Sequence, residues 1–309
     1  ENGLLGYGQR NPVYLAGLGA SFTRRLGGAP ADFFFSGVFQ HQGMTFGYLR
    51  IPSYSPPSIA VALQQLDQEI EFFEANTDGL IVDQMRNPGG SLCFGENVMQ
   101  RLSPDSFWTT GFELRAMYWR VLTYYNLMIN AKAANAPPDI IAQYEAMWDA
   151  NQRRRGVTDP IPICTASQWR DPFRAAGDGR IVAYSKPIMM MIDEFSTSTG
   201  DSVPSMFQQN GRGLLYGMRS NGAGGNNTSL EVGPYTEGVV GVTMGIQARR
   251  TPIRVEGFPR TNRLENVGVH PEVVNDYMTS ENLLQGGAPF VRQFLEEMAR
   301  YVRSKSNRP

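Results

Sequence analysis

Apolar residues recur along this chain in two rhythms. From Met44 to Ile51 β-type residues alternate well enough for a strand; after the Pro56-Pro57 stop, Ile59, Ala62, Leu63, Leu66, Ile70 and Phe73 return every three or four positions. The second spacing predicts an amphipathic helix of about four turns, with Ser58 as its N-cap. Gly79 then leads into Leu80-Ile81-Val82-Asp83, a short buried strand that ends at the turn Asn87-Pro88-Gly89-Gly90, after which a second helix is expected. Strand, helix and strand in that order predict a parallel crossover.

Residues 112–152 read as mostly helical, interrupted at Pro137-Pro138, with Met117, Val121, Tyr125 and Met128 on one face. A helical insertion over about residues 112–156 is therefore expected. An irregular, Pro-rich stretch returns the chain to the apolar strand Ile188–Ile192, which opens a further strand-helix-strand unit with the helix Asp201–Gln209 and the strand Leu214–Tyr216. Val239 to Ala248 reads as one more strand, and Val291, Leu295, Met298 and Val302 predict a C-terminal amphipathic helix. The alternation predicts an α/β fold on a mainly parallel sheet: a loop-rich lead-in over residues 1–40, then one domain from residue 41 to 309 carrying the insertion.

Composition narrows the function classes. With 309 residues, 41% hydrophobic and 11% aromatic, the chain has enough apolar material for one large domain or two small ones. A net charge of −1 gives no field of one sign, and Arg153 to Arg155 and Arg249-Arg250 read as solvated ends of elements, so no nucleic-acid partner is expected. No run reaches the roughly 18 to 20 apolar residues of a membrane-spanning helix, so no span is expected either. Two cysteines, Cys93 and Cys164, make no disulfide framework, and with only two histidines no zinc cluster or other cofactor is called for. The opening Glu1-Asn2-Gly3, with neither an initiator Met nor a signal peptide, reads as the start of a processed or trimmed fragment of something longer.

The candidate chemistry sits at turns. Asp193-Glu194-Phe195-Ser196-Thr197-Ser198-Thr199-Gly200-Asp201 falls where a buried strand gives way to a helix; such a turn exposes a hydroxyl nucleophile at the sheet edge, beside a helix N-terminus that stabilises negative charge. A Ser/Thr-rich helix start is also the commonest kind of cap, so this segment alone leaves both readings open. At Asn87-Pro88-Gly89-Gly90 two glycines allow a close backbone approach that aims amides at an oxyanion, although a plain strand-to-helix turn has the same composition. By itself Glu265 reads equally as a surface carboxylate. Phe195, Met206 and Phe207 suit a substrate pocket or the core, and Cys93 reads as buried packing beside the turn.

Taken in order, the blocks GYLRI (47–51), GLIVDQMRNPGGSLC (79–93), MMIDEFSTSTGD (190–201), FQQNGRGLLYGMRSNGAGG (207–225) and ENVGVHP (265–271) carry more information than any one of them. Together they resemble the tail-specific, C-terminal-processing serine peptidase family, and within it the branch of chlamydial protease-like activity factor. The resemblance implies a crotonase-like spiral of strand-strand-helix units and a bacterial hydrolase acting beyond the cytoplasm, periplasmic or secreted. It places Ser198 on the nucleophile, Glu265 on the carboxylate that orients the catalytic histidine, and backbone amides of Gly89 or Gly90, with Thr199, on the oxyanion hole.

Relatives of the Ser-Lys type carry a lysine in the loop that here reads Ser220-Asn221-Gly222-Ala223-Gly224-Gly225, and Ala223 is no base. The GAGG form matches the branch that resembles a Ser-His-Glu arrangement. Only His41 and His270 are available; His270 reads as a turn or surface residue, and His41, in a polar hairpin-like context, is the candidate base within the chain. In the resembled branch the histidine lies well upstream of GYLRI. A missing N-terminal segment of the same precursor is thus the expected source of the histidine and the expected partner, beside a polypeptide substrate; a homodimer stays open. Two rivals remain: a catalytically silent scaffold or peptide-binding domain of the same fold, and a crotonase-type acyl-CoA enzyme, for which no coenzyme site is visible.

Overall fold

The computed structural model describes residues 6–153 and 156–306; Glu1 to Leu5, where the lead-in begins, and Arg154 and Arg155 of the basic run lie outside them. In chain order the strands are β1 (Phe22–Arg24), β2 (Phe35–His41), β3 (Met44–Arg50), β4 (Gly79–Asp83), β5 (Phe107–Trp108), β6 (Gly111–Ala116), β7 (Gly156–Val157), β8 (Trp169–Arg170), β9 (Ile188–Ile192), β10 (Leu214–Gly217), β11 (Asn226–Glu231), β12 (Val239–Ile253), β13 (Thr261–Arg263) and β14 (Val273–Val274). The helices are α1 (Ile59–Asn76), α2 (Leu92–Leu102), α3 (Tyr118–Ala133), α4 (Pro138–Arg153), α5 (Thr199–Gln209), α6 (Ser280–Leu284) and α7 (Ala288–Ser306). The fold is mixed α/β.

The chain divides into two compact units. The first, residues 1–107, 171–222 and 268–309, holds a seven-stranded sheet in the order β1-β2-β3-β4-β9-β10-β14. From β3 to β14 neighbouring strands are parallel; β1, β2 and β3 pair antiparallel. All five residues of β4 and all five of β9 are buried, because helices cover both sheet faces and the strands must be apolar on each. The period of two sorts them: Ile81, Met189 and Met191 join Phe39, Tyr48, Phe290, Phe294 and Met298 of α7 in one core cluster. On the other face Phe73 of α1 meets the backbone of Gly47 beside Leu80, close enough that a Cβ on Gly47 would lie 2.7 Å from the Phe73 ring. The helix predicted from the three-four spacing is α1, and Ser58 caps it by accepting the Val61 amide.

The second unit, residues 108–170 and 223–267, carries an antiparallel sheet in the order β11-β12-β6-β7, with β13 on β12, and the helix pair α3 and α4. Two sequence expectations change here. The excursion is not purely helical, since its first residues form β6 against Gly245 to Ala248 of β12. Nor is it one insertion in one domain, because a second segment, 223–267, completes the unit. The lead-in also differs: Phe35–His41 is an integral sheet strand, paired residue by residue with β3. The two unforeseen strands, β6 and β2, have one cause, that strand identity depends on a partner which local periodicity does not reveal. Among the described residues no helix is long and apolar enough to cross a membrane.

Candidate active site

Two turns meet at the carboxyl ends of the adjacent parallel strands β4 and β9, the edge where open α/β sheets place their ligands. One is Arg86-Asn87-Pro88-Gly89-Gly90, leading into α2; the other is Ser196-Thr197-Ser198, leading into α5. Ser198 takes φ 61° and ψ −117°, far from the extended geometry of an ordinary N-cap residue. A non-glycine residue is held in such a region only where its surroundings over-determine it, and those surroundings are visible.

Hydrogen bonds knit the two turns together. Thr197 donates its amide to the Asn87 carbonyl at 2.9 Å, and Thr199 Oγ1 donates to the Gly90 carbonyl at 2.7 Å. Ser196 Oγ donates to the Gln84 carbonyl at 3.1 Å, while Gln84 Nε2 donates to the Gly200 carbonyl at 2.9 Å. Asn87 Nδ2 holds the Ile51 carbonyl at 3.0 Å. Gly89, at φ +88°, presses against the serine turn so closely that a Cβ would lie 2.6 Å from Ser198 Cβ and 2.9 Å from the Thr199 nitrogen. Only glycine satisfies both the backbone angle and that approach.

Of the three candidate oxyanion amides, Gly89 donates to Asn87 Oδ1 at 2.8 Å. The Gly90 and Thr199 amides have no acceptor among the described residues. The Ser198 amide donates to Asp201 Oδ2 at 2.9 Å, the acidic half of a capping box.

Buried charge supports both turns. Asp193 Oδ1 accepts the Arg86 amide at 2.7 Å and Ser196 Oγ at 3.1 Å, and its Oδ2 accepts the Tyr277 hydroxyl at 2.9 Å. Desolvation raises its pKa above the ordinary carboxylate value, against the opposing pull of these donors. Arg50, fully buried, pairs with Asp83 at 3.1 Å and also donates to the Met85 carbonyl and to Gln9 O. A strap from Gly6 to Asn11 lies over the turns: Tyr7 OH donates to Thr197 Oγ1 at 3.0 Å, and the Gly8 amide to Arg86 O at 2.9 Å. Beside Pro52, Ser53 and Ser55, a groove of about 900 Å³ runs on past Arg10 and Phe33 to Val61.

The predicted residues fall in different places. Ser198, Thr199, Gly89 and Gly90 come together. Glu265 belongs to the second unit, in the turn Leu264–Val267, where its Oε2 is buried with no partner among the described residues and a Cβ on Gly225 would lie 3.0 Å away. His41 pairs with Met44 in the β2–β3 hairpin, at the amino end of the parallel strands; a sheet length of about 15–20 Å separates that end from the turns. The His270 carbonyl accepts from Gln208, in the last turn of α5, about 15 Å along the helix from Ser198. His41 is not brought to the serine turn. Cys93 is exposed rather than packed inside, and neither cysteine is a free thiol. Met206 and Phe207 are core, while Phe195 is half-buried against Tyr7. Sequence reasoning missed the supporting roles of Asn87, Asp193 and Asp201; of these only Asp201, three residues after Ser198, left a local signal.

The chain is similar in sequence and fold to other proteins. The chain is 24% identical over 288 residues to an uncharacterized protein of Chlamydia muridarum, and 26% identical over 250 residues to a protein of Chlamydia trachomatis. These alignments take in 84% and 74% of the chain but 46% and 40% of the relatives, so the chain spans less than half the length of either. Among solved structures, mature CPAF complexed with lactacystin superposes with a TM-score of 0.74 at 20% identity, over 97% of this chain and 59% of that one. A putative peptidase from Parabacteroides merdae superposes with a TM-score of 0.59 at 15% identity, over 95% of this chain and 72% of the other. The sequence pattern of Peptidase family S41 matches residues 45–273, a span that includes both turns and the Glu265 turn, and on that match the chain belongs to peptidase family S41.

Proposed function

We propose that this chain carries the nucleophile-bearing half of a serine endopeptidase. Ser198 Oγ attacks a peptide carbonyl, its proton passes to an imidazole, and the tetrahedral oxyanion accepts from the Gly90 and Thr199 amides. The amine then leaves with that proton, and water hydrolyses the acyl-enzyme by the reverse sequence. Glu265 holds the imidazole in the useful tautomer. The imidazole comes from outside residues 1–309, on an N-terminal segment or processed fragment of the same precursor, and the polypeptide substrate lies in the groove beside Ser53 and Ser55. In this reading the fold is the crotonase-like arrangement of strand-strand-helix units, and the enzyme works in the periplasm or outside the cell.

One observation carries the reading: a serine at φ 61° faces a glycine turn, beside two backbone amides that have no acceptor among the described residues. The Glu265 Oε2, which has no partner among the described residues, and the remote position of His41 favour an external base over His41. Fluorophosphonate labelling with mapping of the modified residue tests it. Modification of Ser198 only when the N-terminal part of the precursor is present supports a split Ser-His-Glu enzyme; modification of the chain alone points to a local base. No modification in either case, with the chain verified as folded, gives the catalytically silent scaffold or peptide-binding domain.

A further inference from the structure

We infer that Asp201 is a positioning residue that sets the Ser198 backbone and, through Ser220, ties it to both points where the chain leaves and rejoins the first unit. The functional half of this inference rests on Ser198 being the nucleophile. Asp201 is fully buried. Its Oδ2 accepts the Ser198 amide at 2.9 Å; its Oδ1 accepts Ser220 Oγ at 2.5 Å and the Gly222 amide at 2.8 Å. Ser220, also fully buried, passes the connection on: its Oγ accepts the Val269 amide at 2.8 Å, and its amide donates to Val269 O at 3.0 Å.

Gly222 is the last residue before the chain enters the second unit, and Gly268 is the first after it returns. One carboxylate therefore fixes the outgoing crossing directly and the returning one through a single hydroxyl. Glu265 stands three residues before that return. Gly268, at φ +69°, lies against the Ser220 carbonyl with no room for a side chain, so the returning segment has little freedom to slip. A buried carboxylate accepting amides at a helix N-terminus makes charge-assisted hydrogen bonds that gain from the helix dipole. It also takes up the Ser198 amide, which excludes that group from the oxyanion site and holds the φ that aims the hydroxyl. The role is distinct from catalysis, since Asp201 acts through the Ser198 backbone and not on the substrate.

The test compares wild type, Asp201→Asn and Ser220→Ala in the longest folded form of the polypeptide. Amide hydrogen exchange at Ser198 and Gly222 reads the geometry, and fluorophosphonate kinetics, split into inhibitor binding and the acylation step, read the consequence. Asp201→Asn is expected to speed exchange at both amides by about 10-fold or more. The acylation rate should fall roughly 100-fold with inhibitor binding unchanged. Ser220→Ala keeps the carboxylate, so it should release the Val269 amide while leaving Ser198 protected; this variant decides the matter if Asp201→Asn fails to fold. Unchanged exchange at Ser198 and Gly222 in Asp201→Asn, or acylation at the wild-type rate, overturns the inference, as does an unchanged Val269 amide in Ser220→Ala. If wild type is never acylated but exchange responds as expected, the protease reading fails and the structural tie stands.

Discussion

Gly89 and Ser198 approach so closely that a Cβ on the glycine would come within 2.6 Å of the Ser198 Cβ and of the Thr197 carbonyl oxygen. The contact joins the turn after β4 to the turn after β9, and it sets the positions of the Gly90 and Thr199 amides proposed to bind the oxyanion. Gly89→Ala should therefore damage stability and reactivity together. The positive φ alone costs roughly 1–3 kcal/mol in a denaturant titration. Displacing the neighbouring amides should slow Ser198 labelling roughly 100-fold or more. Labelling within a factor of two of wild type would show that the turn plays no part in the reaction.

Asp193 gives a pH signature. Burial raises its folded pKa above the ordinary 3.8, so the folded state holds this proton to higher pH than the unfolded chain does. Its contribution to stability is greatest below the ordinary value and is lost as pH rises through the raised one. Lowering the pH from 7 towards 4 should thus stabilise wild type relative to Asp193→Asn, read as a rise of the wild-type Tm relative to that of the variant. Parallel Tm curves for the two proteins over that range would contradict the assignment.

Arg50 and Asp83 are both buried, and Arg50 also holds Gln9 of the strap. Arg50→Met leaves a buried carboxylate unpaired and should cost roughly 3–5 kcal/mol by urea denaturation. Adding Asp83→Asn removes the uncompensated charge, so the double variant should recover at least half of that loss. A double variant no more stable than the single one would mean that the loss comes from packing rather than from charge.

Glu265→Gln separates chemistry from folding. Since Oε2 has no partner among the described residues, the substitution should change stability by less than about 1 kcal/mol. In the polypeptide that supplies the histidine, loss of a carboxylate orienting an imidazole should lower peptide hydrolysis on the order of 10⁴-fold. Activity unchanged alongside unchanged stability would leave Glu265 a bystander.

The sequence alone determined the elements whose signal is local. The three-four spacing after Pro57 marks α1, the run Ile188–Ile192 marks a strand buried on both faces, and the turn signals at Asn87–Gly90 and Ser196–Asp201 mark two strand-to-helix junctions. These survive because periodicity, capping and turn composition are encoded within a dozen residues. Tertiary structure decided the rest. Residues 111–116 become a strand rather than helix because β12, remote in the sequence, offers a paired edge, and Phe35–His41 joins the sheet because β3 does the same. The partition into two units, the commitment of the Gly89 amide to Asn87 and the ties from Asp201 to Ser198 and Gly222 were likewise settled only in three dimensions. A hydrogen-bond partner is chosen by proximity and geometry after folding, and residues far apart along a chain carry no local mark of the group they will meet.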